Sequence, residues 1–174
     1  MSKLIIYGSH YGTTKSYAEK LSEITGIEAI SHEDIKDLSM YKTIIHLGGL
    51  YAGGIKGIKD TIKAIDSDRE LIIVTVGLAD PTNQENTKNI KETASRQVPK
   101  ELYDKARFFH LRGGIDYSKL SFIHKTMMKM VYSKVKNIPE DMLREEDKAF
   151  IDTYNKTVNF VDFSSLEPIA EVIR

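Results

Sequence analysis

The sequence predicts an α/β fold, a doubly wound five-stranded parallel sheet of order 2-1-3-4-5 with a helical insertion after strand 5. Three observations lead there. Short apolar, β-branched runs recur as far as Leu111, each too continuous to alternate, as strands buried on both faces read. Segments with apolar residues at helical spacing lie between the runs. Glycines gather just after the first three strong runs, at the edge where sheets of this kind bind ligands.

In chain order the strands are "KLIIY" (3–7), a weaker "IEAIS" (27–31), "TIIHLG" (43–48), "ELIIVTV" (70–76) and "RFFHL" (107–111). The intervening helices are "TTKSYAEKLSEIT", with Tyr17, Leu21 and Ile24 on one face, then "IKGIKDTIKAI" and "NTKNIKETASRQV". The ligand-edge loops are then residues 8–14, 48–55 and 77–83. Residues 112–142 are too long for a simple connection and read as an insertion, a loop leading to a helix from about Leu120 to Val135. A last helix is expected from about Glu145 to Asp162, with Phe150, Ile151, Tyr154, Val158 and Val161 on its apolar face, before a tail at 163–174. A chain of 174 residues suits one core, so residues 1–174 are expected to form a single domain.

Composition excludes several classes of function. Lys plus Arg equals Asp plus Glu at 25 each, so no global field draws the chain to nucleic acid, and no nucleic-acid partner is expected. The absence of cysteine removes disulfides, thiolate catalysis and iron–sulfur clusters. The start lacks the pattern of a signal peptide and no window approaches the roughly eighteen apolar residues of a membrane span, so a cytoplasmic location is expected. Histidines 10, 32, 46, 110 and 124 are dispersed, which predicts no metal site, with His46 and His110 as core or strand-end residues. "REEDK" (144–148) reads as a charged helix start, and no nucleophile-elbow context is present. No catalytic side chain is assigned.

The stretch "YGSHYGTTKS" (7–16) has the composition of a phosphate loop. A triphosphate loop needs lysine directly after its second glycine, whereas Thr13 follows Gly12 here and the Gly8-to-Gly12 spacing is one residue short. The three-glycine dinucleotide fingerprint is missing too. What remains is a strand-to-helix turn whose hydroxyls, Ser9, Thr13 and Thr14, converge with free helix-start amides on one terminal phosphate. The plain alternative is a Ser/Thr cap on an ordinary helix. His10 in this loop could touch the same ligand or simply face water.

The segment "IIYGSHYGTTKSYAEKL" resembles the flavodoxin signature, with Ile5, Ile6 and Tyr7 in the strand, Ser9, Gly12 and Thr14 in the loop, and Ala18 and Leu21 in the helix. The resemblance implies a flavodoxin-like sheet and FMN as cofactor. It implies cofactor contacts from Ser9, His10, Tyr11, Gly12, Thr13 and Thr14 in the first loop, Leu50, Tyr51, Ala52 and Gly53 in the second, and Gly77, Leu78, Ala79 and Asp80 in the third. Tyr51 would stack on the flavin or shield its edge, or else be a half-buried surface tyrosine. Gly53 and Gly54 could let a carbonyl turn toward flavin N5, or form only a turn. Neutral net charge lacks the acidic field of low-potential carriers, which suits a quinone or organic substrate.

Between Tyr117 and Ile138 lie lysines 119, 125, 129, 134 and 136 and no acid, with Leu120, Ile123, Met127, Val131 and Val135 at helical spacing and Phe122, Met128 and Met130 widening the stripe. Such a helix can lie on an anionic membrane through residues 119–136, at the inner face, or can pack on the domain with its lysines in water. The stretch "LRGGIDYSKLSFIHKTMMKMVYSKV" is similar to the insertion of the menaquinone-dependent protoporphyrinogen oxidase family through its "KTMMKM". That resemblance implies FMN-dependent oxidation of a porphyrinogen-like substrate, electrons passed to a quinone, and a homodimer. The alternative is a soluble electron carrier that docks with a redox partner protein and turns over no small substrate.

Overall fold

The computed structural model describes residues 2–51 and 53–174. The chain runs β1 (Lys3–Gly8), α1 (Thr13–Thr25), β2 (Ala29–Ser31), β3 (Thr43–Tyr51), β4 (Gly54–Ile55), α2 (Ile58–Ala64), β5 (Glu70–Gly77), α3 (Gln84–Gln97), α4 (Lys100–Tyr103) and β6 (Arg107–Arg112). It continues through β7 (Gly114–Asp116), α5 (Phe122–Val135), α6 (Glu145–Thr153), β8 (Thr157–Asn159) and α7 (Glu167–Ile173).

The main sheet has the order β2-β1-β3-β5-β6, all parallel, with β4 folded back antiparallel on the end of β3. This is the expected 2-1-3-4-5 order with one short strand, β4, added to the count. Register is fixed by pairs such as Ile5↔Ile45, Ile45↔Ile72 and Ile72↔Arg107. Successive side chains take opposite faces, so each apolar run feeds two cores. Ile5, Ile45, Leu47, Ile72 and Val74 pack with α1 and α7, while Leu4, Ile6, Ile44, Leu71 and Ile73 pack under α2, α3 and α4.

Helix α1 buries Thr14, Tyr17, Ala18 and Leu21 and stops at Gly26, whose left-handed φ of 71° lets its N–H return to the Ser22 carbonyl. Helix α3 starts where the Asn83 side chain accepts from the amides of Glu85 and Asn86, and it ends before Pro99.

Two expectations about the C-terminal third need correction. The helix expected to reach Asp162 ends at Thr153, because Asn155 takes a left-handed φ of 60° and the β-branched Thr157 and Val158 then form β8. Strand β8 pairs antiparallel with β7, Ile115 opposite Val158, and the Phe160 N–H donates to the Gly113 carbonyl at 3.0 Å. The insertion therefore extends beyond 142 to this ribbon. The residues taken as a tail instead build α7, which buries Leu166, Ile169, Ala170 and Ile173 against the α1 face of the sheet.

Candidate functional site

The carboxyl ends of β1, β3 and β5 open onto one cavity of about 830 Å³, roofed by the insertion. Its first wall is the loop after β1. Gly12 stands at the start of α1 with φ 95°, a conformation open to glycine at little cost, and its amide is held by the Ser9 Oγ at 3.0 Å. No side chain caps α1 and no acid occupies its first turn. Among the described residues, the Thr13 and Thr14 hydroxyls take no hydrogen-bond partner, although Thr14 is buried. The Ser/Thr-cap alternative therefore fails, and the helix start keeps its N–H groups free for an anion. Gly8 lets this loop approach β4, since a Cβ there would lie 2.1 Å from the Lys56 carbonyl oxygen.

The second wall carries Leu50, Tyr51 and Gly53, the last with φ 73°, and the third carries Gly77, Leu78 and Ala79. Ala52 lies outside the described residues. Ser9, His10, Tyr11, Gly12, Thr13 and Thr14 all line the same cavity. Asp80 does not. Its carboxylate turns back to accept the Thr82 amide and hydroxyl, which holds its pKa below the usual carboxylate range, and its carbonyl accepts from the Asn86 side chain at 2.9 Å.

Aromatic rings meet where the first two walls join. The His10 ring lies 4.4 Å from Tyr51, and His124 of α5 is within about 5.5 Å of His10, Tyr11 and Tyr51. The Tyr11 hydroxyl bonds His124 Nδ1, and the Tyr51 hydroxyl reaches the Met127 sulfur at 3.9 Å. Partial desolvation, then Lys56, His124 and His32, lower the His10 pKa; desolvation and Tyr11 raise that of Tyr51. His124 was not among the residues singled out for this site, because only the tertiary fold carries an insertion residue to a loop 113 positions away.

Two further groups shape the mouth. The Arg112 guanidinium donates from Nε to the Leu78 carbonyl at 2.9 Å and lies 3.7 Å over the Phe160 ring, fastening the third loop to the insertion stem. Beyond the three loops the cavity continues between Leu120, Met127, Met128 and Val131 on one side and Glu146 and Phe150 of α6 on the other. Burial and neighbouring Asp147 raise the Glu146 pKa. Helices α5 and α6 are joined by Tyr132 and Tyr154, stacked at 4.0 Å and 6°.

His46 lies away from the cavity, whereas His110 lines it. His46 is fully buried, donating from Nε2 to the Lys56 carbonyl and accepting the Thr61 hydroxyl at Nδ1, and burial pulls its pKa down to about 4. His110, half-buried at the cavity's α3 side, bonds Thr75 at 2.8 Å.

The flavodoxin domain family matches residues 4–141 of the chain. Among solved structures, a flavoprotein from Lactobacillus acidophilus in complex with FMN is similar at 17% identity over 64% of this chain and 91% of that one, with a TM-score of 0.41. A variant flavodoxin from Pseudomonas aeruginosa aligns at 18% identity over 77% of this chain and 95% of that one, TM-score 0.42. A variant flavodoxin from Fusobacterium nucleatum bound to flavin mononucleotide aligns at 12% identity over 67% and 78%, TM-score 0.39. No curated protein matches the chain. The match over most of its length, on a sheet of this order with its glycine loops at one edge, places the chain in the flavodoxin domain family.

Proposed function

We propose that the protein is an FMN-dependent oxidoreductase whose cavity admits an apolar redox substrate beside the flavin. The residues present fit FMN. An uncapped helix start free of acids, with the unpartnered Thr13 and Thr14 hydroxyls, suits a terminal phosphate. The cavity volume falls in the range of about 300–1000 Å³ common for cofactor and ligand sites.

When bound, FMN supplies the redox chemistry; the chain supplies binding, orientation and a shaped cavity. The amides at the start of α1 and the hydroxyls of Ser9, Thr13 and Thr14 would hold the phosphate. Tyr51 and the backbone of Leu50, Gly53, Gly77, Leu78 and Ala79 would flank the ring system. Partial desolvation and the neighbouring Lys56 lower the His10 pKa, which disfavours added positive charge at the Tyr51 edge.

The observation that carries an enzymatic reading over a pure carrier is the apolar extension of the cavity past the three loops, lined by Leu120, Met127, Met128, Val131 and Phe150. Methionines adapt to flat apolar ligands. A porphyrinogen-like tetrapyrrole as substrate and a menaquinone-like acceptor are the specific pair we assign to this space, on the likeness of "KTMMKM" and its surroundings noted from the sequence.

The test has two stages. Titration of FMN with the protein, read by quenching of flavin fluorescence, is expected to show one saturable site; no quenching overturns the cofactor assignment. The FMN-loaded protein is then given porphyrinogen and a menaquinone analogue under anaerobic conditions. Porphyrin formation matched by quinol supports the assignment, whereas FMN binding with no turnover returns the protein to an electron-carrier role.

A further inference from the structure

Helix α5 is half used. It turns His124, Met128, Tyr132 and Val135 toward the domain, at positions i, i+4, i+8 and i+11, and among its residues Val135 alone is fully buried. The opposite arc bears large apolar side chains in water: Phe122 is 84% exposed, Ile123 70% and Met130 59%. Isolated exposed apolar residues are ordinary, but three large ones on one helix face are not explained by packing.

Charge and position identify what covers that arc. Lys125, Lys129 and Lys134 of α5, with Lys119 before it and Lys136 after it, flank that arc, and from Ser118 to Asn137 there is no acid. Lys119 pairs with Asp116 at 3.7 Å, while among the described residues Lys125, Lys129, Lys134 and Lys136 enter no ion pair. The chain as a whole is neutral, so this segment of five lysines and no acid is a local positive patch against a remainder in which acids outnumber bases. The exposed arc is also continuous with the cavity, because Met127 and Val131, at its edge, line the cavity as well.

We propose that α5 is a docking surface for an anionic lipid bilayer, with Phe122, Ile123 and Met130 entering the headgroup region and the lysines meeting acidic headgroups. No described helix is long and apolar enough to cross a membrane, so the contact is peripheral and reversible. Docked in this way, the Met127 and Val131 edge opens the cavity toward the lipid, and an apolar reactant enters without crossing water. The assignment rests on the surface of α5 and stands independently of the cofactor.

The test is co-sedimentation of the full chain with phosphatidylcholine vesicles, with and without about one-third phosphatidylglycerol. Binding is expected to the anionic vesicles only, weakened roughly tenfold when salt rises from about 0.1 to about 0.5 M. Phe122→Ser/Ile123→Ser and Lys125→Glu/Lys129→Glu should each lower binding several-fold, with circular dichroism and FMN quenching unchanged. No sedimentation, equal binding to neutral vesicles, or a charge-reversed variant that binds like the parent overturns the proposal. So does self-association abolished by Phe122→Ser in the absence of vesicle binding, since a second copy would then cover the face. FMN quenching on the same samples separates a failure of this surface from a failure of the cofactor assignment.

Discussion

The Tyr11 hydroxyl accepts the Ser121 N–H at 3.4 Å and is hydrogen-bonded to Nδ1 of His124, joining the loop that starts α1 to the start of the insertion helix. This exposed bond, worth about 1 kcal/mol, is the polar link between the two segments. His124→Ala and Tyr11→Phe should both speed hydrogen exchange of the α5 amides and weaken FMN binding by roughly three- to tenfold. Unchanged exchange in α5 would show that the stacked Tyr132 and Tyr154 hold the helix unaided.

Thr14 gives a cleaner probe of the phosphate wall. Its side chain is buried, yet its hydroxyl is unpartnered among the described residues. Thr14→Val keeps the shape and removes a donor whose value toward an anion is about 1.5–3 kcal/mol. FMN affinity is expected to fall by roughly tenfold or more, with the thermal midpoint nearly unmoved. Equal affinity would place the phosphate elsewhere.

Stability should fall in mild acid. His46 is held neutral in the fold with its pKa lowered to about 4, whereas the unfolded chain protonates near 6.5. Between these values the unfolded state binds more protons, so the contribution is complete above about pH 6.5 and is lost as pH falls toward 4. For a fully buried ring the loss is on the order of 3 kcal/mol. His110, also lowered to about 4, acts in the same direction. Urea midpoints at pH 7 and pH 4.5 should diverge for the parent and draw together in His46→Gln, which would be less stable at pH 7. A parent midpoint flat with pH contradicts this account.

Tyr17, a core side chain, binds both ends of the insertion. Its hydroxyl donates to the Arg112 carbonyl at 2.7 Å and accepts the Asp162 N–H at 3.0 Å. Tyr17→Phe leaves both groups without that partner and should cost about 1–3 kcal/mol, read as a lowered thermal midpoint with the far-ultraviolet spectrum retained.

The parallel sheet was legible because its central strands β1, β3 and β5 are buried on both faces and so read as unbroken apolar runs. The uncapped strand-to-helix turn proposed to hold a phosphate was legible because its features are local backbone and hydroxyl groups. The C-terminal third was not. Phe150, Ile151, Tyr154, Val158 and Val161 fit a helical period, yet the left-handed Asn155 divides them between a helix and a strand, a choice settled by the pairing partner β7 far upstream. The α7 helix did leave a signal, Leu166, Ile169, Ala170 and Ile173 at i, i+3, i+4 and i+7, in a segment too short to stand without the sheet beneath it. His124 and Arg112 left none, since each acts on a loop distant in sequence.

The β7–β8 ribbon brings the two ends of the insertion side by side, Gly114 opposite Asn159, with Gly113 and Phe160 hydrogen-bonded below. From the sheet's side, everything between them is a cassette on a closed clasp: removing it asks only for a tight turn where the clasp already meets, and little loop entropy changes. The sheet, α1 and α7 can therefore remain constant while the roof over the cavity is exchanged, so one cradle can be fitted to reactants of different bulk without disturbing the helix start proposed to hold the phosphate.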